Sequence, residues 1–358
     1  MSYINYKNIS MHIRFDKRRE RIYHKKDAPI SFVWDKFIEN CKMNYIPSEQ
    51  LTVDEQLCTT KGRVPFKTYI PTKPGKYGIK IWVLADAKTA YLCNAEIYTG
   101  KQQDKPEKNQ GERVVRFLAD PFLKCGRTIT TDNFFTSLNL ALYLKTQKTA
   151  LVGTVKKQRT FLPPEFQQKS KKIGTKFLFH KNISLCQHTE KPGKSVILLS
   201  SLHKKASFEE NGKPEIVEYY NSTKAGVDTL DQLIRFYTTK RRTLRWPLSV
   251  FYNILDIAAY NSLIIYRDKY PEHLMKYKKR SRRSFLEHLV DEIVEEFDTI
   301  EDSTMPKITK LEKRTSKDKK RCFLCPAQRA PKTKTICEVC HKIVCRSHYK
   351  IKCHCCSE

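Results

Sequence analysis

The feature that most constrains the fold of this 358-residue chain is a cluster of cysteines near its C-terminal end. Eight of its 13 cysteines lie between Cys322 and Cys356. So short a segment has too little apolar material for a core, so bound metal is expected to supply its folding energy, about 10–16 kcal/mol per structural ion. The N-terminus has no apolar stretch typical of a secretory signal, which argues against a disulfide framework. The alternative is a set of reduced structural cysteines.

The spacing within this cluster predicts two zinc ions. The ligands form four pairs, and the two-residue gap in each pair lets both members bind one tetrahedral zinc. Short connections favour an interleaved, cross-brace arrangement like that of RING and PHD modules, and a sequential pairing is the alternative. In the cross-brace, the first ion is bound by Cys322, Cys325, Cys345 and His348, and the second by Cys337, Cys340, Cys353 and Cys356.

The charge of the chain points to a polyanionic partner. There are 68 Lys and Arg residues against 38 Asp and Glu, a formal net charge of +30. Nucleic acid is the first candidate and an anionic membrane face the second. The most apolar stretch, Pro247–Tyr266, is interrupted by Asn253, Asp256 and Asn261, and therefore predicts a buried helix rather than a membrane span.

The apolar pattern predicts an α/β fold with a mixed sheet covered by helices. Apolar residues are 40% of the chain, which is enough for a core. Residues 30–38 and 221–270 have helical patterns, and residues 151–220 are richer in Lys, Gln and Pro, as an insertion would be. Between them, strands are predicted at 51–57, 77–85, 90–98, 127–131 and 150–155, and helices at 111–118 and 137–145.

Three aspartates stand out because of their positions in the predicted strands and helices. Asp54 interrupts an apolar strand, Asp132 ends another, and Asp228 begins a helix. A carboxylate on a sheet-forming strand costs desolvation energy unless it is paired or binds a metal, and Mg²⁺ prefers oxygen ligands. The alternatives are a salt-bridged surface residue, a turn residue and a helix N-cap, respectively.

Several long segments resemble PiggyBac-type transposases, and the resemblance runs from about residue 8 onward. The segments are LTVDEQL (51–57), KGRVPFKTYIPTKPGKYGIKIWVLAD (61–86), TITTDNFFTSLNLA (128–141), LVGTVKKQR (151–159), YYNSTKAGVDTLDQ (219–232) and RRTLRWPLSVFYNILDIAAYNSLIIY (241–266).

The resemblance implies an RNase H-like catalytic domain with an Asp triad and an insertion before the third Asp. By motif, the triad is Asp54, Asp132 and Asp228, which would bind two Mg²⁺ ions. Asp231 lies about one helical turn from Asp228 and is assigned either to active-site support or to the helix surface. The predicted fold class is therefore α/β, an RNase H-like domain with an insertion plus a small C-terminal cross-brace zinc module.

The same resemblance divides the chain into six segments. Only 53 residues precede Asp54, fewer than in most family members, so a shortened N-terminus is expected. The segments are a remnant of an N-terminal dimerisation and DNA-binding domain (1–50), two parts of the catalytic domain (51–155 and 219–270), an insertion domain (156–218), a charged helix and linker (271–320) and a cysteine-rich zinc-binding domain (321–358).

Basic and aromatic residues supply candidate DNA contacts. Arg245 and Trp246 would face the active site, where the indole would stack on an unpaired base. The alternative for Trp246 is packing at the start of the following helix. Lys156, Lys157 and Arg159 would follow a DNA backbone, or else form a solvated loop. Two further basic runs, 276–283 and 307–321, are predicted to contact DNA phosphates or to act as a nuclear import signal. The alternative for both is a solvated linker.

The resemblance implies a DDE/D-type transposase of the nucleus, with double-stranded DNA and a second copy of the chain as partners and no membrane. The family cuts transposon ends through a hairpin and inserts at TTAA. A domesticated DNA-binding protein without recombination activity is the alternative. A third hypothesis makes the cysteine-rich segment a protein-interaction module.

Overall fold

The computed structural model describes residues 3–17, 19, 21, 25–101, 107–168, 172–272, 280–304, 315–336, 341–345 and 348. The chain divides into two compact units, residues 1–286 and 287–358. In chain order the elements are α1 (Tyr3–His12), α2 (Ala28–Met43), β1 (Gln50–Thr59), β2 (Thr68–Tyr69), β3 (Tyr77–Asp86), β4 (Leu92–Ile97), α3 (Gln110–Ala119), a 3₁₀ turn (Asp120–Phe122), β5 (Thr128–Thr131), α4 (Leu138–Thr146), β6 (Ala150–Thr154), α5 (Pro164–Gln167), β7 (Gly174–His180), β8 (Ile183–Lys191), β9 (Lys194–Ser200), α6 (Glu215–Thr223), α7 (Gly226–Phe236), α8 (Trp246–Lys269), α9 (Ser281–Thr304), β10 (Thr315–Arg321) and β11 (Lys332–Thr335).

The first unit is built on a mixed sheet, as the sequence predicted, and this sheet has nine strands. The strand order is β2-β3-β1-β5-β6-β9-β8-β7, and β4 also pairs with β3. Strand β1 is antiparallel to β3 and parallel to β5, and β5 is parallel to β6. The predicted strands and helices of residues 51–155 are confirmed, with shifts of a few residues at their ends.

Strands β7, β8 and β9 extend the same sheet beyond β6. Strand β9 pairs antiparallel with β6, and β8 and β7 follow it as an antiparallel meander. These strands were not predicted, because residues 151–220 were assigned to an insertion on their Lys, Gln and Pro content, although β9 contains a continuous apolar run. The segment expected to be an insertion therefore adds strands to the central sheet.

The middle of the sheet is buried on both faces. Ile81, Trp82, Val83 and Leu84 follow one another on β3 and are each at most 1% exposed. Such a continuous apolar run is typical of a strand with elements packed on both faces. Helices α3 and α7 both contact β3, and α7 also contacts β1. The core therefore lies around the strand next to the one that carries Asp54.

Helix α8 is long and apolar enough to cross a membrane by length and composition alone, yet most of it is buried in the first unit. Its polar residues have partners inside the protein. Asn261 bonds the backbone N–H and C=O of Leu92, and Asp256 accepts hydrogen bonds from Thr238 and Thr239. The prediction of a buried helix is confirmed.

The second unit contains an antiparallel pair of short strands, β10 and β11. Beside them, Cys322, Val344 and Cys345 form a small buried cluster. Strand β10 begins at Thr315, inside the segment predicted to be a linker. The described residues of this unit therefore have a core of only a few side chains.

Candidate active site and metal centre

The parallel pairing of β1 and β5 brings Asp54 and Asp132 next to each other. The register pairs Val53 with Thr131, so the next residues are Asp54 on β1 and Asp132 directly after the end of β5. Adjacent strands lie about 4.7–4.9 Å apart. Asp132 also has the predicted turn role, because its Oδ1 accepts the backbone N–H of Phe134 at 2.8 Å.

Helix α7 lies along the face of β1 that carries Asp54. Residues 52, 54 and 56 share that face because side chains alternate along a strand. At one end, Gly226 packs so closely that an added Cβ would be 3.2 Å from Thr52 Oγ1. At the other end, Asp231 Oδ1 accepts a hydrogen bond from Gln56 Nε2 at 2.6 Å. Asp228 lies on the helix between these two contacts.

Asp228 forms an ion pair with a lysine that the sequence did not single out. Lys73 Nζ lies 2.9 Å from Asp228 Oδ1, and the two side chains are 14% and 64% exposed. Burial lowers the pKa of Lys73, but its hydrogen bond to Asp228 and the charges of Asp228, Asp54 and Asp231 outweigh burial and raise it. The lysine therefore interacts with three of the four candidate carboxylates.

The environment of Asp54 disfavours its charged form. Burial, the charge of Glu55 and the charge of Asp132 raise the pKa of Asp54 to about 8, against the lowering effects of the Glu55 backbone N–H and of Lys73. A carboxyl group shifted this far upward is typical of functional sites. Oxygen ligands in this environment fit Mg²⁺, because a bound cation would restore the ionised form.

Asp231 is buried on α7 rather than exposed on the helix surface. It is 7% exposed, and its Oδ2 has no hydrogen-bond partner among the described residues. Burial raises the pKa of Asp231, although Gln56 and nearby cations oppose the shift. Gln56 Oε1 in turn accepts a hydrogen bond from Asn253 at 2.9 Å. The surface alternative for Asp231 is therefore wrong, and Gln56 is a site residue that sequence reasoning missed.

Tyr220 is a second residue of the site that was missed. Burial raises its pKa, and so do the charges of Asp132 and Asp54, while a hydrogen bond to Thr154 lowers it. Its ring also lines a groove of about 380 Å³ that has a basic rim of Lys194, Lys213 and Lys224. Tyr220 therefore lies between the carboxylate pair and the basic groove. The motif around it was recognised, but nothing local distinguishes it from Tyr219.

Four residues of the second unit form a metal-type cluster. The ligand atoms of Cys322, Cys325, Cys345 and His348 all lie within 4.8 Å of one another. His348 Nδ1 is 3.4 Å from the sulfurs of Cys325 and Cys345, and 3.6 Å from that of Cys322. Tetrahedral zinc with bonds of about 2.0–2.3 Å requires edges of about this length.

This cluster combines the first and third ligand pairs of the sequence, the set predicted to bind the first ion. The other predicted set lies outside the described residues, namely Cys337, Cys340, Cys353 and Cys356.

The residues expected to contact DNA have partners within the protein. The Arg245 guanidinium donates hydrogen bonds to the carbonyls of Ser10, Met11 and Ile13. The Trp246 ring packs edge-on against Phe66, with the ring centroids 5.2 Å apart. This packing supports the structural alternative for Trp246, which begins α8.

The predicted basic contacts after β6 have different surroundings from one another. Lys157 Nζ bonds Ser195 Oγ at 2.7 Å, and Lys156 is exposed. Arg159 is half-buried, and its Nε has no hydrogen-bond partner among the described residues. The role of these three residues in DNA binding remains a prediction.

Comparison with known proteins identifies the family. A family profile described as "Transposase IS4" matches residues 1–263. The chain also resembles a solved structure, the cryo-EM structure of the piggyBac transposase synaptic complex with hairpin DNA. The two share 33% identity with a TM-score of 0.73, over 99% of this chain and 80% of that one. The chain belongs to the PiggyBac-type transposase family.

Curated human proteins also match this PiggyBac-type chain. PiggyBac transposable element-derived protein 3 is 25% identical over 283 residues, which are 70% of this chain and 46% of that protein. PiggyBac transposable element-derived protein 2 is 26% identical over 255 residues, 64% of this chain and 42% of that protein. The chain therefore spans about half the length of the curated relatives it matches.

Proposed function

We propose that this chain is a DDE/D-type DNA transposase that cleaves and joins DNA with two Mg²⁺ ions held by Asp54, Asp132 and Asp228. The observation that carries the proposal is the parallel pairing of β1 and β5, which sets Asp54 beside Asp132. Helix α7, which packs on the same strand face, carries Asp228, and its carboxylate pairs with Lys73. Family membership supports DNA as the substrate.

The strand order supports an RNase H-like assignment for the catalytic domain. Strands β4, β3 and β1 form an antiparallel set, and β5 and β6 continue it in parallel with β1. On this proposal β7, β8 and β9 form the insertion of residues 156–218, and 219–270 complete the catalytic domain. Residues 1–50 are assigned to the N-terminal domain, and 271–320 to the charged helix and linker.

Each side chain of the site has a distinct task in this mechanism. Bound Mg²⁺ supplies activation of the attacking oxygen and stabilisation of the leaving oxygen of a phosphodiester. Asp54 and Asp132 present their carboxylates from neighbouring strands, while Gln56 and Asn253 orient Asp231. These hydrogen bonds hold the acidic site in place before any metal or DNA arrives.

The second unit is proposed to be a cross-brace zinc module that binds DNA. The grouping of the first and third ligand pairs supports the interleaved arrangement over the sequential one. On this proposal the second ion is bound by the remaining predicted set. Recognition of transposon ends and of TTAA, a homodimer in the synaptic complex and a nuclear location complete the proposal.

A DNA-binding protein without recombination activity is the second candidate. The matching human proteins are named as transposable element-derived, which favours a domesticated role for this chain too. This candidate retains the zinc module and the basic surface and predicts no DNA cleavage.

The test is cleavage of a labelled duplex made from the sequence that flanks the gene, including any terminal inverted repeat and TTAA site there. The wild type should nick this duplex in Mg²⁺, and Asp132→Asn should abolish nicking because it removes a ligand charge without changing size. Asp120→Asn is the matched control, since Asp120 is exposed in the 3₁₀ turn. Nicking that survives in Asp132→Asn would contradict the proposal, and DNA binding without nicking by the wild type would favour the second candidate.

A further inference from the structure

A lysine side chain occupies the acidic site where a cation is needed. Lys73 Nζ is 2.9 Å from Asp228 Oδ1, and its charge also acts on Asp54 and Asp231. Three of the four candidate carboxyl groups therefore act on this one ammonium group. The lysine is only 14% exposed, so its position is not that of a free surface chain.

The loop that carries Lys73 is held firmly against the sheet. Within residues 70–76, the backbone N–H of Lys76 bonds the carbonyl of Lys73 at 3.0 Å. Gly75 packs against the end of β1 so closely that an added Cβ would be 2.0 Å from Thr59 Cγ2. Since β1 also carries Asp54, the loop packs on the same strand that supports the acidic site.

The ammonium group of Lys73 and a divalent cation would compete for the carboxylate of Asp228. Both are attracted by the same carboxylate, and they repel each other at close range. A metal ion that binds Asp228 would therefore be repelled by the lysine and would compete with it. The side chain also borders a cleft of about 500 Å³ that is lined by Asp228, Asp231 and Arg235.

We propose that Lys73 is a positioning residue that neutralises Asp228 in the metal-free protein, competes with a divalent cation for it, and turns to a phosphate of the DNA once displaced. This inference rests on the proposed function and deepens it. It explains how a site with four carboxylates keeps its shape before metal binds. Removal of the lysine should therefore strengthen metal binding and weaken catalysis.

The experiment measures Mn²⁺ binding by calorimetry to zinc-loaded protein without DNA. Lys73→Met should bind Mn²⁺ about two- to fivefold more tightly than the wild type, because one partly exposed ion pair no longer competes. Lys73→Arg should restore competition. Lys76→Met is the matched control, because Lys76 belongs to the same loop, is exposed, and should leave the affinity unchanged.

Cleavage at saturating Mg²⁺ gives a second readout with the opposite sign. Lys73→Met should cleave more slowly than Lys76→Met, whereas a merely structural lysine would weaken metal binding and cleavage together. Unchanged or weaker Mn²⁺ binding by a folded Lys73→Met variant would overturn the inference alone. A wild type that binds no Mn²⁺ at this site would overturn the proposed function as well. Mn²⁺ binding that is lost in Asp228→Asn belongs to this site, and binding that is retained belongs to other sites.

Discussion

The two candidate metal sites of this protein are supported in opposite ways. The aspartate site is built on buried strands, and Leu51 and Val53 beside Asp54 are at most 1% exposed. The cysteine-histidine site is surrounded by a buried cluster of a few residues, two of which are themselves cysteine ligands. A sheet can thus hold ligands in place without metal, whereas a small unit needs the metal to hold its ligands together.

The largest predicted effect separates the two sites by metal removal. Cys345→Ser should release zinc and unfold the second unit, because a structural zinc contributes about 10–16 kcal/mol and little core remains. The first unit should stay folded. Zinc content by atomic absorption and the backbone amide NMR spectrum check both parts.

Cys186→Ser is the control for this experiment, because Cys186 is buried in the first unit and is not one of the predicted zinc ligands. Retention of zinc and of the second unit's amide signals in Cys345→Ser would contradict the ligand assignment. Loss of structure in both units would show that the contrast between them is wrong.

A smaller, opposite effect is predicted for the aspartate site. In metal-free protein, Asp54→Asn should stabilise the fold at neutral pH by up to a few kcal/mol, because it removes a carboxyl group whose charge the fold disfavours. The pKa of Asp54 in the folded protein is about 8, above the usual 3.8, so the wild type becomes less stable as the pH rises between those values. Chemical unfolding of both proteins at pH 4 and pH 8 measures the difference.

Excess Mg²⁺ should reverse this ranking, since the cation favours the ionised form and the variant lacks a ligand. If Asp54→Asn is less stable than the wild type in metal-free buffer at both pH values, the strained-carboxylate account of this site fails. Asp35→Asn is a control at an exposed position, and it should change stability little in either buffer.

The smallest effect on folding is predicted for mutation of Gln56, which forms hydrogen bonds with Asp231 and Asn253. Gln56→Leu leaves Asp231 and Asn253 without the hydrogen bonds that they now share, which should cost about 1–3 kcal/mol. Metal affinity should fall as well, since Asp231 loses its orienting partner. Thermal unfolding and Mn²⁺ titration check these outcomes, and unchanged affinity would show that Asp231 takes no part in the metal site.

The comparison also explains what could be predicted from the sequence. The cysteine-histidine set was predictable because its ligand gaps are local, and Cys322, Cys325, Cys345 and His348 do lie together. The mixed sheet was predictable because its buried strands have continuous apolar runs. Strands β7, β8 and β9 were missed because the Lys, Gln and Pro content of residues 151–220 was given more weight than their short apolar runs.

The contacts between distant segments could not be predicted. Gln56 meets Asp231 across 175 residues, and Lys73 meets Asp228 across 155. No sequence pattern around any of these four residues predicts its contact. The burial of Asp231 depends on which face of α7 packs on β1, and the helical pattern alone allowed either choice.

The most direct test of the aspartate site is a crystal structure of the zinc-loaded protein soaked in Mn²⁺, with anomalous data at the manganese edge. The account predicts manganese peaks at roughly 2.0–2.6 Å from carboxylate oxygens of Asp54, Asp132 and Asp228, with Lys73 displaced from Asp228. A structure with no manganese among these residues, or with any two of the three carboxylates more than about 10 Å apart, would contradict it.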